Sequence, residues 1–202
     1  MNDLDFAAFL VSKVCHDLVS PLGAVVNGLE VLEDERDAAM RADALKIVTS
    51  SAAQALARLQ FMRIAFGAAG SAGAELDLGE VGRLVGGLFS GGRVTLDWPP
   101  SNLNWPKDWA KLLMNAVLIA ADCLPRGGTV KVETHAEGQG FKITATGQGA
   151  RVSEELERAL RGEAAEPDAR GVQPVLTYRL AKGVNAGLTI SLRDGRVELA
   201  AG

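Results

Sequence analysis

Little in this chain offers a metal site or a disulfide. Its 202 residues include two cysteines, two histidines and 5% aromatic side chains. Cys15 and Cys123 stand alone and match no metal-ligand spacing, so no metal and no disulfide framework is expected, and a reducing compartment fits. The net charge is −4 and there is no block of Lys or Arg, which argues against direct nucleic-acid binding. The longest apolar stretch, Leu112 to Ala121, is broken by Asn115 and falls short of the roughly 20 residues a membrane span needs. Met1 to Phe6 carries two acids and no basic cluster, so no signal peptide is expected and the cytoplasm is the expected location. What is plentiful is apolar residue, 48% of the chain, enough for one large packed domain or two small ones.

The first third reads as a helical hairpin. One helix is predicted from Asp3 to about Glu33, the acid-rich run Glu33 to Asp37 makes the turn, and a second helix reaches about Phe66. At about 100° per residue, Ala7, Leu10, Val11, Val14, Leu18, Pro21, Leu22, Val25, Leu29 and Leu32 share one side of the first helix. Ala44, Ile47, Val48, Ala52, Ala55, Leu56, Leu59 and Met62 form the stripe of the second. Two helices of about 30 residues, each about 45 Å long, cannot bury both stripes against each other alone. A second copy is therefore expected, giving a homodimeric four-helix bundle; packing on the rest of the chain is the alternative.

Gly67 to Gly73 has the composition of a flexible linker. The expected division is a helical domain at 1–66, a linker at 67–75 and a second domain at 76–202. Beyond the linker the pattern becomes mixed. Helices are predicted near Leu78 to Phe89, Lys107 to Cys123, Ser153 to Leu160 and Val172 to Val184. Strands are predicted at Arg93 to Trp98, Thr129 to His135 and Phe141 to Ala145, with a terminal hairpin from Leu188 to Leu199 turning at Asp194-Gly195. The fold class is thus α plus α/β: a helical hairpin followed by an α/β sandwich with helices on one face of a mixed sheet.

His16 is the residue most suited to chemistry. It points away from the apolar side of its helix, among Phe9, Ser12, Lys13, Ser20, Gly23 and Asn27, with Asp17 at the edge. An imidazole placed there is open to a protein partner. Small Gly23 and Ala24 permit close approach, and Phe9, Val19 and Val26 are apolar off the main stripe, as on a docking surface; single exposed apolar residues of an ordinary surface are the alternative. Pro21 lies inside the helix, where proline removes a hydrogen bond at a cost of about 3 kcal/mol, and a kink near His16 is expected. An ordinary surface histidine is the plain alternative. His135 shares a strand face with Lys131 and Glu133 and reads as a solvated strand residue.

The string His16-Asp17-Leu18-Val19-Ser20-Pro21-Leu22 resembles the phospho-acceptor box of histidine kinases, which runs His, acid, aliphatic, any residue, Ser or Thr, Pro, Leu. The order of elements after the linker resembles the kinases' ATP-binding domain, the Bergerat fold. Its working parts differ from that family's pattern. Anchored on Pro125-Arg126-Gly127-Gly128, Asn115 matches the family's structural asparagine, but the magnesium-holding asparagine falls on Ile119. The adenine-recognising Asp-x-Gly-x-Gly reads Ala145-Thr146-Gly147-Gln148-Gly149. The lid segment, Arg151 to Arg170, holds six acids against four bases, and no Gly-x-Gly-Leu follows it. No ATP is expected to bind.

An acceptor histidine joined to such a degenerate domain resembles the ChpT-type histidine phosphotransferases of α-proteobacteria. The resemblance covers the whole chain. It implies a relay in which the receiver-domain aspartyl phosphate of a hybrid histidine kinase passes its phosphoryl group to His16. The receiver of a response regulator in a cell-cycle pathway then takes it. On this reading the chain needs no cofactor of its own, because the receiver's acidic pocket supplies Mg2+. An imidazole is largely neutral near pH 7 and leaves as readily as it attacks, so transfer runs both ways. Asp17 is a candidate to orient the imidazole or act as a base, and Ser20 to touch the phosphoryl oxygens; an exposed carboxylate and local helix back-bonding are the alternatives. Two other functions fit the same residues: an ATP-dependent histidine kinase using substitute groups, and a non-catalytic dimeric adaptor.

Overall fold

The structure is a computed structural model, which describes residues 2–67, 74–135, 139–163 and 171–202. Most of the expected linker and the last part of the expected lid segment lie outside the described residues.

Helix α1 spans Asp3–Asp34 and α2 spans Ala38–Ala65. Their ends follow from the polar residues the sequence places there. Asn2 accepts a hydrogen bond from the Asp5 amide, and Asp37 accepts from the amides of Ala39 and Met40, satisfying donors that open each helix. In the acid-rich turn, Glu35 accepts from the amides of Asp37 and Arg36, and these bonds hold its carboxyl below the usual range. Arg41 reaches back to the carbonyls of Leu32 and Glu35, closing the end of α1.

The two helices pack against each other, with Gly28 of α1 facing Ala44 and Val48 of α2; Phe6 and Pro21 of α1 and Ala55 of α2 are also buried. Gly28 permits this close approach, since a Cβ would stand 2.6 Å from Val48 Cγ2 and force that side chain to shift. The expected stripes divide into two faces. Leu10, Val14, Val25 and Leu32 are half-buried toward protein, whereas Val11, Leu22 and Leu29 are exposed, as are Ile47, Leu56 and Leu59 of α2. Each stripe is wider than the strip that one neighbouring helix covers, so the hairpin leaves a second apolar face uncovered. By length and composition α1 is apolar enough to cross a membrane.

The far end of the hairpin belongs to a larger core. Phe61, Met62 and Ala65 of α2 are buried with residues of α3 (Leu78–Phe89) and α4 (Lys107–Asp122). Asn115, fully buried on α4, donates to the carbonyls of Ala65 at 3.1 Å and Lys111 at 2.9 Å, so it closes the end of α2 across the boundary.

A small antiparallel pair, β1 (Glu75–Asp77) with β3 (Asn104–Pro106), precedes α3 and α4 in space; three-residue strands leave no alternation to read, and the sequence did not predict them. The main sheet has the order β2-β4-β5-β7-β6, comprising Val94–Asp97, Gly128–Thr134, Phe141–Thr146, Arg196–Ala201 and Leu188–Arg193. Only β2 and β4 run parallel. Val130, Val132, Ile143, Val197 and Leu199 line its buried face, over which α4 lies, while Lys142 pairs with Glu198 at 2.9 Å on the other. Helix α6 (Val172–Gly183) packs beside α4, and α5 (Glu154–Leu160) packs on α6. Asp194 and Gly195 both adopt positive φ in the terminal hairpin, as a type I′ turn requires.

Candidate functional site

His16 sits at mid-length on α1, and its side chain is 79% exposed. Its neighbour Asp17 is gripped at three points. Asp17 Oδ1 stands 3.2 Å from His16 Nδ1, Asp17 Oδ2 takes an ion pair from Lys13 Nζ at 2.9 Å, and the Asp17 main-chain carbonyl accepts from Arg58 Nη1 at 2.7 Å. A carboxylate oxygen accepts, so the 3.2 Å contact suits the tautomer that carries its proton on Nδ1, in which the Nε2 lone pair is free.

The Arg58 contact follows from Pro21. In an α-helix the amide four residues on serves each carbonyl, and the residue four after Asp17 is a proline with no N–H. Helix α1 continues through Pro21, and the side chain of Arg58 on α2 takes the place of the missing donor. Nothing local announces this contact, because 41 residues separate its partners.

Of the residues expected on the outer face with His16, Ser12, Val19, Ser20, Gly23, Val26 and Asn27 are exposed. A Cβ on Gly23 would meet nothing within 4 Å. Phe9 is half-buried. Lys13 is half-buried too, and its ammonium is committed to Asp17 rather than standing free on a docking surface.

A cleft of about 660 Å³ separates this stretch of α1 from the α/β unit. Lys13, His16 and Asp17 line one wall; Ile119, Asp122, Cys123, Arg151 and Gln173 line the other. Ile119 is buried, and its side chain has no oxygen to offer this space. Asp122 keeps solvent access, yet the protein crowding it raises its carboxyl above the usual range; Lys13 offsets that rise and Asp17 adds to it. Burial and the neighbouring Asp122 push the Cys123 thiol up to about 11. Sequence reasoning passed over Arg58 and Asp122, which reach the site only through folding.

The N-terminus of α1 is tied to the same unit. Arg179 of α6 lies over the Phe6 ring at 4.1 Å from its centroid and bonds Asp3 at 3.2 Å. The wall of the cleft that carries His16 is therefore fixed to the α/β unit at both α1 and α2.

A family model described as the histidine phosphotransferase C-terminal domain matches residues 78–196. Protein phosphotransferase ChpT of Brucella abortus (strain 2308) is 40% identical over 196 residues, which cover 95% of this chain and 91% of that protein. A solved bacterial phosphotransferase aligns with a TM-score of 0.87 at 37% identity, over 100% of this chain and 98% of its own. The chain belongs to the histidine phosphotransferase family, and within it to the ChpT type. It is a phosphotransferase of a two-component phosphorelay.

Proposed function

We propose that His16 is the phosphoryl carrier, taking the group from the receiver aspartate of a hybrid histidine kinase and passing it to the receiver aspartate of a response regulator. The observation that carries this reading is the exposed imidazole whose Nδ1 faces Asp17 at 3.2 Å. Nε2 attacks the phosphorus of the donor's aspartyl phosphate, the P–O bond to that aspartate breaks, and the carboxylate leaves with the bonding pair. The positive charge gained by the ring lies beside the Asp17 carboxylate. In the second half the acceptor's carboxylate attacks the same phosphorus, the P–N bond breaks, and Nε2 recovers its lone pair. Such transfer rests on in-line geometry and charge stabilisation, and the receiver's acidic pocket supplies the Mg2+.

The chain's own cleft takes no part through nucleotide. Ile119 and Ala145 stand where the resemblance to kinases calls for a magnesium ligand and an adenine-binding carboxylate, and neither side chain has a polar atom. The uncovered apolar face of the hairpin is assigned to a second copy of the chain, giving a four-helix bundle that works in the cytoplasm.

The test is transfer from a purified, prephosphorylated receiver domain without ATP, comparing wild type with His16→Ala. Label on wild type alone is the expected result. No label on either protein with several receivers, or labelling of wild type by ATP directly, would overturn this reading in favour of an adaptor or a kinase.

A further inference from the structure

Both oxygens of the Asp17 carboxylate are in use: one faces His16 Nδ1 at 3.2 Å and the other pairs with Lys13 Nζ at 2.9 Å. The exposures of the three side chains differ in an instructive way. Lys13 and Asp17 are 19% and 23% exposed, against 79% for His16. The orienting half of the cluster therefore faces protein, while the reacting half faces solvent. Held at a single oxygen, a carboxylate swings about its side-chain bonds; a second, charge-assisted bond fixes its plane and hence the direction of its other oxygen.

Lys13 also looks across the cleft. Asp122, the last residue of α4, lines the same cleft, where the Lys13 charge favours its ionised form and the Asp17 charge opposes it. Lys13 thus offsets the repulsion between two carboxylates of one cleft, which Arg151 also lines. The last turn of α4 carries no basic residue of its own, so the negative end of that helix adds to the attraction for Lys13. The platform is rigid, because the residues of α4 from Ala110 to Val117 are buried in the shared core.

We infer that Lys13 and Asp122 form a positioning pair through which the α/β unit orients His16: Asp122 attracts Lys13 through space across the shared cleft, Lys13 holds the Asp17 carboxylate, and that carboxylate keeps the proton on Nδ1. This gives the α/β unit a task in phosphoryl transfer that requires no nucleotide, and it rests on the reading of His16 as the acceptor. Neither Lys13 nor Asp122 touches the phosphoryl group; both act through Asp17.

The experiment combines 15N NMR of the His16 ring, assigned by comparison with His16→Ala, with single-turnover transfer from a phosphorylated receiver domain, all on the full chain. In Lys13→Met, the Nδ1-protonated tautomer loses population and transfer slows about tenfold, the effect of losing one charge-assisted hydrogen bond. Lys13→Arg restores most of both. Asp122→Asn moves both readouts in the same direction, and adding it to Lys13→Met brings no further loss. An unchanged tautomer in Lys13→Met, or fully additive losses in the double variant, would sink the positioning pair. If wild type takes no label, the acceptor reading fails on its own, and the NMR arm still judges the link from Lys13 through Asp17 to the ring.

Discussion

Arg58 on α2 donates a hydrogen bond of 2.7 Å to the carbonyl of Asp17 on α1, the carbonyl that Pro21 leaves without its helical donor. The proline thus works as more than a break in α1. It frees an acceptor on the residue next to His16, and the second helix takes it, so the turn that bears the histidine is anchored to its neighbour by a charged group.

Removing that anchor should weaken the hairpin. Arg58→Met is expected to lower stability by about 1–2 kcal/mol, the worth of a partly buried hydrogen bond to a charged donor. Pro21→Ala returns the missing amide, and in that background Arg58→Met should do less damage. Urea unfolding of the four proteins in a double-mutant cycle measures the difference; equal losses in both backgrounds would show that Arg58 does not replace the amide.

Asp122 should make the fold weaker at neutral pH. Its carboxyl lies above the usual range, so between the unfolded and folded values the folded chain holds a proton that the unfolded chain has released. Stability is full below that window and falls as pH rises through it. Asp122→Asn removes the ionisation while Lys13, Asp17, His16 and Arg151 still face the cleft. The variant should be more stable than wild type at pH 8, by less than about 1 kcal/mol after solvent screening, with the gain vanishing near pH 3. Denaturant midpoints at the two pH values decide the point. A loss of transfer together with a gain in stability would mark Asp122 as a residue kept for function.

The two thiols should differ in reactivity. Cys15 is exposed on α1, whereas Cys123 is buried at the end of α4 with its thiol pushed up to about 11. Iodoacetamide at pH 8 should add one label to the folded chain, at Cys15, and a second only after denaturation. Peptide mass spectrometry locates the adducts; rapid labelling of Cys123 in the native protein would contradict the packing described for α4.

Leu22 and Leu56 lie on the uncovered face of the hairpin, at 50% and 55% exposure. Wild type should sediment at twice the chain mass, and Leu22→Glu combined with Leu56→Glu at the mass of one chain, since unpaired charge in an apolar helix interface is strongly unfavourable. A monomeric wild type would leave this face to another partner. Flotation of wild type with lipid vesicles would assign it to a membrane surface, consistent with the apolar character of α1.

Much of the architecture was legible in the order of residues. The hairpin, the long helix α4, the strands of the main sheet and the turn at Asp194-Gly195 lie within a residue or two of where periodicity and turn chemistry put them. These signals are local: a 3.6-residue or two-residue repeat and a capping side chain act over a single element. The pair β1 and β3 escaped because three residues carry no period. The stripe on α1 was legible as apolar, but its division into a face against α2 and a face left open was not, since that depends on where the neighbouring helix lies.

The site divides along the same line. Of the chemistry proposed for the site, the sequence by itself determined the residue types and their helical phase: a histidine followed by an acid on the outer side of a helix, with a proline one turn on. The tertiary structure alone decided the partners. Arg58 reaches Asp17 because α2 returns along α1, and Asp122 faces Lys13 because Phe61, Met62 and Ala65 dock α2 on the core that carries α4. A residue's type and helical phase are written in its near neighbours, whereas contacts across a cleft depend on how whole elements pack, and no short stretch of chain holds that information.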